Sequence, residues 1–286
     1  MDFTLSEALT ELIGFLASFL TTGAVAFRYV VLRGDAATES GIAIPAARRA
    51  AVLGFLGALV TTAMYLINLH GTAIEKQATM TRLITANSRS ALGAVCLLLV
   101  LAGLALAAAN VRAGWALAAG GVLVAPLISL FYGEWARAVN PIHRLSGGLW
   151  IGTLFILLMA GLTTVLHSNL PPVQRGVLAA NMVHRFSPLA LIAFAILAFT
   201  GIVTAWRHLK RLDALWTTQY GWTLIAKLSV VAIVVGLGAW NWRRQRPLLG
   251  TESAAVVLRR SATAEVIAAT IVLVLTSVLV SLPSPK

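Results

Sequence analysis

Eight apolar stretches, separated by short polar ones, run the length of the chain at about 12–32, 47–69, 90–111, 114–132, 145–166, 188–207, 220–242 and 262–282. Each is about 19–24 residues long, or about 29–36 Å of helix, enough to cross a hydrocarbon core of about 30 Å. A backbone in lipid must satisfy its own hydrogen bonds, so each stretch is predicted to be a helix. Alternating segments of about ten residues, as a membrane barrel needs, are absent. The expected fold class is all-α: a polytopic integral membrane protein, a bundle of about eight transmembrane helices forming one domain over 1–286. Connections of at most about 15–20 residues leave no room for a soluble domain between spans.

Composition supports this. The chain is 59% hydrophobic and 11% charged, with a mean hydropathy of +0.87, whereas soluble domains are about 25% charged. The formal net charge of +12 fits anchoring to anionic lipid, and no basic run interleaves with aromatics as nucleic-acid grooves do. Membrane lipid, and no nucleic acid, is the expected partner. Acidic Asp2, Glu7 and Glu11 stand where a signal peptide is basic, so the first stretch is expected to be an uncleaved span. Twelve basic residues follow odd spans and nine lie on the other side, with Lys227 set aside as intramembrane. The bias puts both termini outside, with the loop 243–260 as the clearest cytoplasmic anchor. Trp135, Trp206, Trp216, Trp222, Trp240 and Trp242 fall near span ends, as an aromatic belt does. Gly54, Gly57, Gly120, Gly121, Gly147, Gly148, Gly152, Gly236 and Gly238 are expected to let helices pack closely.

Candidate chemistry is sparse. The single cysteine, Cys96, lies within a span, which excludes an intrachain disulfide and a Cys-x-x-Cys site. No catalytic set is present: there is no Ser-His-Asp arrangement, phosphate loop or His-Glu-x-x-His. No enzymatic activity is expected. The histidines sit near span ends: His70, His143 and His208 towards the outside, with His167 and His184 bracketing the loop between spans five and six. Imidazole and thioether suit copper, and Met64, Met80, Met159 and Met182 lie in or near the same regions. Each histidine can equally be an interfacial residue with a satisfied hydrogen bond, and each methionine can be packing. His143 is the strongest candidate, because it opens a glycine-rich helix, His143-Arg-Leu-Ser-Gly-Gly-Leu-Trp-Ile-Gly152. His143 and His167 are about 36 Å apart along one helix, so they cannot share a metal.

Two charges fall inside spans. Lys227 is about one third of the way in from the outer face, and Glu265 about one turn into span eight from the cytoplasmic side. An ammonium at membrane depth costs about 2.5–3.5 kcal/mol on insertion scales, so each charge either finds relief or serves a polar pathway. Lys227 can snorkel outward, and Glu265 can pair with Arg259 or Arg260. Their depths differ by about 15–20 Å, which argues against a direct pair.

From Arg185 onward the chain resembles the copper resistance protein D family. The resemblance rests on Arg185-Phe-Ser-Pro-Leu-Ala190, Thr200-Gly201, Tyr220-Gly221 with Leu224 and Lys227-Leu228, Asn241 with Arg243 and Arg244, Leu258-Arg-Arg-Ser261 and Glu265. It covers about 185–282, and His143 with Trp150-Ile-Gly152 extends it into span five. The resemblance implies copper transport across the bacterial cytoplasmic (inner) membrane. Copper would be relayed from His143 and His70, with Met64, towards His184 and His167, with Met182. Lys227 and Glu265 would tune the path, Lys227 as a fixed charge that shapes the bundle or its gate. Relatives can carry an extracytoplasmic copper-binding domain ahead of the first span. Its absence here implies capture of copper by a separate periplasmic copper-binding protein. Two other readings stay open: a haem-binding electron-transfer bundle, which needs two axial histidines on neighbouring helices, and a ligand-free assembly subunit.

Overall fold

The computed structural model describes residues 4–33, 41–209, 211–244 and 252–282, with the side chains of 241–244 and 252–262 left out. Among the described residues the chain is all helix and turn. Eight helices are long and apolar enough to cross a membrane. They are α1 (Leu5–Val31), α2 (Ala43–Glu75), α3 (Ser88–Ala108), α4 (Arg112–Phe131), α5 (Trp135–Leu166), α6 (Pro172–Leu209), α7 (Gln219–Arg244) and α8 (Glu252–Ser281). Within the expected anchor loop 243–260, residues 245–251 lie outside the described residues.

Several helices outrun the apolar stretches that announce them. α5 starts ten residues before the predicted 145, and α6 runs through Pro188 from Pro172. Hydropathy reports the hydrocarbon boundary, whereas a helix continues through the interface, where water and headgroups satisfy its polar side chains. Pro188 and Pro141 are tolerated inside helices. Near Pro188, Ser187 Oγ donates to the Val183 carbonyl at 2.8 Å, the kind of local repair that lets proline sit within a membrane helix. Thr4, Thr79 and Asn87 cap helix starts by accepting from Glu7, Arg82 and Ser90 amides.

The rigid centre is built by α1 to α5 and the first half of α6. Phe27, Leu104, Ile156, Leu157 and Leu162 are fully buried there, beside Met182 and Phe186. α1 and α5 meet at backbone distance. A Cβ added at Gly152 would strike the Phe19 carbonyl oxygen, and one at Gly23 would strike the Gly152 backbone. Three π-helical segments accompany this contact: Phe27–Val31 in α1, and Gly148–Gly152 and Leu157–Leu162 in α5. A π turn widens the helix by one residue and rotates the turns beyond it, and such turns concentrate at functional sites. The glycines divide into two sets. Gly54, Gly57, Gly121, Gly147, Gly148 and Gly152 serve close packing as expected. Gly120, Gly236 and Gly238 face open space, which corrects the packing role expected of them.

α7 packs mainly on α8, and α8 joins the pair to α1 and α6. A small apolar cluster of Tyr220, Leu224 and Leu279, backed by Ala205 and Leu209, ties the start of α7 to the end of α6. Between this pair and the rigid centre a cavity is left.

Candidate functional site

The cavity has a volume of about 470 Å³ and is walled by α1, α5, α6, α7 and α8. Each helix contributes one stripe at helical spacing. In α5 it is His143, Gly147, Trp150 and Ile151; in α7 it is Leu224, Lys227, Leu228, Val231 and Val234. His143 lies eight residues after the start of α5, and Lys227 eight residues after the start of α7. Both are therefore about 12 Å inside helices that begin at the same face. Gly201, eight residues before the end of α6, is level with them. Equal depth brings His143 and Lys227 into one cavity.

His143 is held by α6. Its Nδ1 lies 2.9 Å from Thr200 Oγ1, while the Thr200 hydroxyl donates to the Ile196 carbonyl at 2.7 Å. With that proton committed, the Thr200 oxygen accepts from Nδ1–H. In the tautomer that satisfies both bonds, Nδ1 carries the proton and Nε2 the lone pair. This is how a metal-binding histidine is usually presented, with one ring nitrogen anchored and the other open. Gly201 makes room for the ring, since a Cβ there would lie 3.3 Å from His143 Cε1.

The charges around the cavity are unequally compensated. Arg144 pairs with Glu11 of α1 at 3.4 Å and lies over the Phe15 ring at 4.5 Å from its centroid. Arg211 pairs with Asp213 at 2.8 Å. Among the described residues, Lys227 has no ion pair. Outside the spans, Glu134 binds Arg89 at 2.7 Å and Arg137 at 3.0 Å, and the hydrogen bond from Arg89 holds its carboxyl below the ordinary carboxylate range.

The other candidate residues are dispersed. His70 is exposed near the end of α2, and Met64 packs against the Gly14 position of α1. Met182 is buried in the central core. His167 is exposed and its ring nitrogen bonds the Thr163 carbonyl one turn back, at 2.8 Å. His184 is exposed on α6, twelve residues in from Pro172. The sequence puts His184 at the edge of the loop between spans five and six; it lies well within α6 instead, because that helix begins sixteen residues before the predicted 188. His143 likewise lies two turns inside α5 instead of opening it. Glu265 is thirteen residues into α8 instead of one turn, because that helix starts at Glu252. Measured from the face where α7 begins, Glu265 is about 12 Å deeper than Lys227. The side chains of Arg259 and Arg260, its expected partners, lie outside the described residues. Among the described residues no three His, Cys, Asp or Glu side chains converge.

Two features of the site escape sequence reading. Thr200 belongs to the Thr200-Gly201 fragment, but nothing local says that its hydroxyl meets His143. The Arg144–Glu11 pair joins residues 133 positions apart; its only trace in the sequence is opposite charge at similar depth in the first and fifth spans.

Fold and site together define a polytopic helical membrane protein with a histidine-bearing cavity between a rigid centre and an appended helix pair. Residues 180–279, which take in α7 and most of α6 and α8, match the family model described as Copper resistance protein D. The Copper transport protein CutJ of Bacillus subtilis (strain 168) is 29% identical over 144 residues, 50% of this chain and 25% of that protein. The match thus spans about a quarter of that relative's length. No solved structure matches.

Proposed function

We propose that the chain moves copper across the bacterial cytoplasmic membrane, in copper uptake, homeostasis or resistance, by transport without an enzymatic step. The observation that carries this is the anchoring of His143. The segment that matches the copper family supplies Thr200 and Gly201, which hold the ring by Nδ1 and make room for it at the cavity wall. Neutral imidazole is a good ligand for copper. His143 is the first site on the outer side, with His70 and Met64 nearest that face. His184 and His167, with Met182, serve the cytoplasmic side. Both termini lie outside, and a periplasmic copper-binding protein delivers the ion.

Lys227 shares the cavity with His143, and an ammonium repels a copper cation. It is therefore a gate charge and not a ligand: copper reaches His143 when Lys227 snorkels outward or is neutralised. A haem with two axial histidines needs a second imidazole opposite His143. Among the described residues lining the cavity, His143 is the one histidine.

The test is cellular copper content in a strain whose copper accumulation depends on this protein. His143→Ala, at equal membrane abundance, is expected to abolish the dependence. Unchanged accumulation would remove His143 from the route.

A further inference from the structure

We infer that the cavity beside His143 is a lipid site: it takes an acidic phospholipid from the bilayer, with the headgroup phosphate on Lys227 and an acyl chain along the apolar walls.

The mouth of the cavity faces hydrocarbon. Ile202 and Trp206 of α6 and Leu228 of α7 line the cavity and are also 71%, 73% and 55% exposed. Ile202 lies about 10 Å from the end of α6, and Leu228 about 14 Å from the start of α7, so the gap between these helices opens within the span and not above it. A ligand entering there comes from the membrane. The interior suits a chain: Phe194, Leu197, Val231, Val234 and Leu273 present no polar group. A volume of about 470 Å³ falls within the roughly 300–1,000 Å³ of pockets that take small molecules.

Charge selects the headgroup. Arg144 is balanced by Glu11, and Arg211 by Asp213. Among the described residues Lys227 has no ion pair, and no Asp or Glu lines the cavity. The cavity therefore lacks one negative charge, next to an apolar volume that opens to lipid. A neutral lipid would fill the volume and leave the ammonium uncompensated. Lys227 is about 12 Å inside α7, a depth from which its long stem can carry the ammonium towards headgroup level. An acidic lipid meets both demands at once, and the same phosphate would neutralise the charge that repels cations from His143. The lipid site itself does not depend on the copper reading.

The test is native mass spectrometry of the full chain, purified in nonionic detergent and offered dioleoylphosphatidylglycerol or dioleoylphosphatidylcholine. Wild type and Lys227→Arg are expected to retain one phosphatidylglycerol, and Lys227→Met to bind it about tenfold more weakly, the worth of one charge-assisted hydrogen bond. Val231→Trp, which fills the cavity and keeps the charge, is expected to weaken retention as well. Inorganic phosphate should not compete, because it lacks the chain. Equal retention of phosphatidylcholine, undiminished binding by Lys227→Met, competition by inorganic phosphate, or co-purification of a haem with a Soret band would each overturn the inference. Copper flux is a separate readout, so loss of one property leaves the other interpretable.

Discussion

Replacing Gly152 with alanine tests the contact on which the cavity's position depends. The added Cβ would fall on the Phe19 carbonyl oxygen and within 3.2 Å of Phe19 Cα. Both obstacles are backbone, so no side chain can swing aside and α1 must move away from α5. Overpacking of this kind costs about 1–3 kcal/mol, and backbone on backbone belongs at the upper end. Against this, Gly→Ala in a helix gains about 0.8–1.0 kcal/mol. The net expectation is a loss of about 2 kcal/mol. Gly236→Ala is the control, because nothing lies within 4 Å of its Cβ position; it should gain about 0.5–1 kcal/mol from helix propensity alone. The two variants make the same chemical change with opposite signs. Thermal unfolding of the purified protein in one detergent reads both. Gly152→Ala should unfold several degrees below wild type, and Gly236→Ala at or above it. Because α1 carries Phe15 and Phe19 into the cavity wall, the Gly152 variant should also lose copper flux. A Gly152→Ala protein as stable as wild type would refute the close α1–α5 contact and the cavity placement built on it.

Thr200→Val keeps the shape and removes the acceptor of His143 Nδ1–H; it is expected to weaken copper binding about tenfold, the lower end for losing an outer-shell partner of a ligating histidine, as read by metal titration. Gly201→Val pushes a branched side chain towards His143 Cε1, whose nearest approach to a Cβ there is already 3.3 Å, and should lower copper binding with little loss of thermal stability. For Glu134 the sign follows from its lowered carboxyl pKa. The ionised form is favoured in the folded protein, so its stabilising effect is present above the ordinary carboxylate value near about 4.3 and is lost as pH falls below it. The stability difference between wild type and Glu134→Gln should therefore shrink on acidification; a difference that grows would contradict the Arg89–Glu134 contact.

Hydropathy makes the eight spans legible because lipid exposure demands long apolar runs, and Ile67, Leu191 and Phe199 remain exposed on the outer surface as lipid-facing side chains. Helix ends are less legible. Polar side chains beyond the hydrocarbon do not stop a helix, so α6 runs back to Pro172 and takes His184 with it. Periodicity cannot reveal the π segments of α5, the first of which ends at Gly152, where the α1 backbone makes its close contact. The site is half legible. His143, Lys227 and Thr200-Gly201 stand out as residues, and counting from true helix starts places them at one level. Their convergence on one cavity depends on which helices adjoin, and hydropathy carries no such information. His70, His167 and His184 stand apart from this cavity.

Copper flux through proteoliposomes holding the purified full chain tests the central claim most directly. Wild type should move copper across the vesicle membrane well above protein-free vesicles, and His143→Ala, reconstituted to the same density, should fall to the protein-free rate. Equal flux in wild type and His143→Ala, or no flux above protein-free vesicles in either, would contradict it.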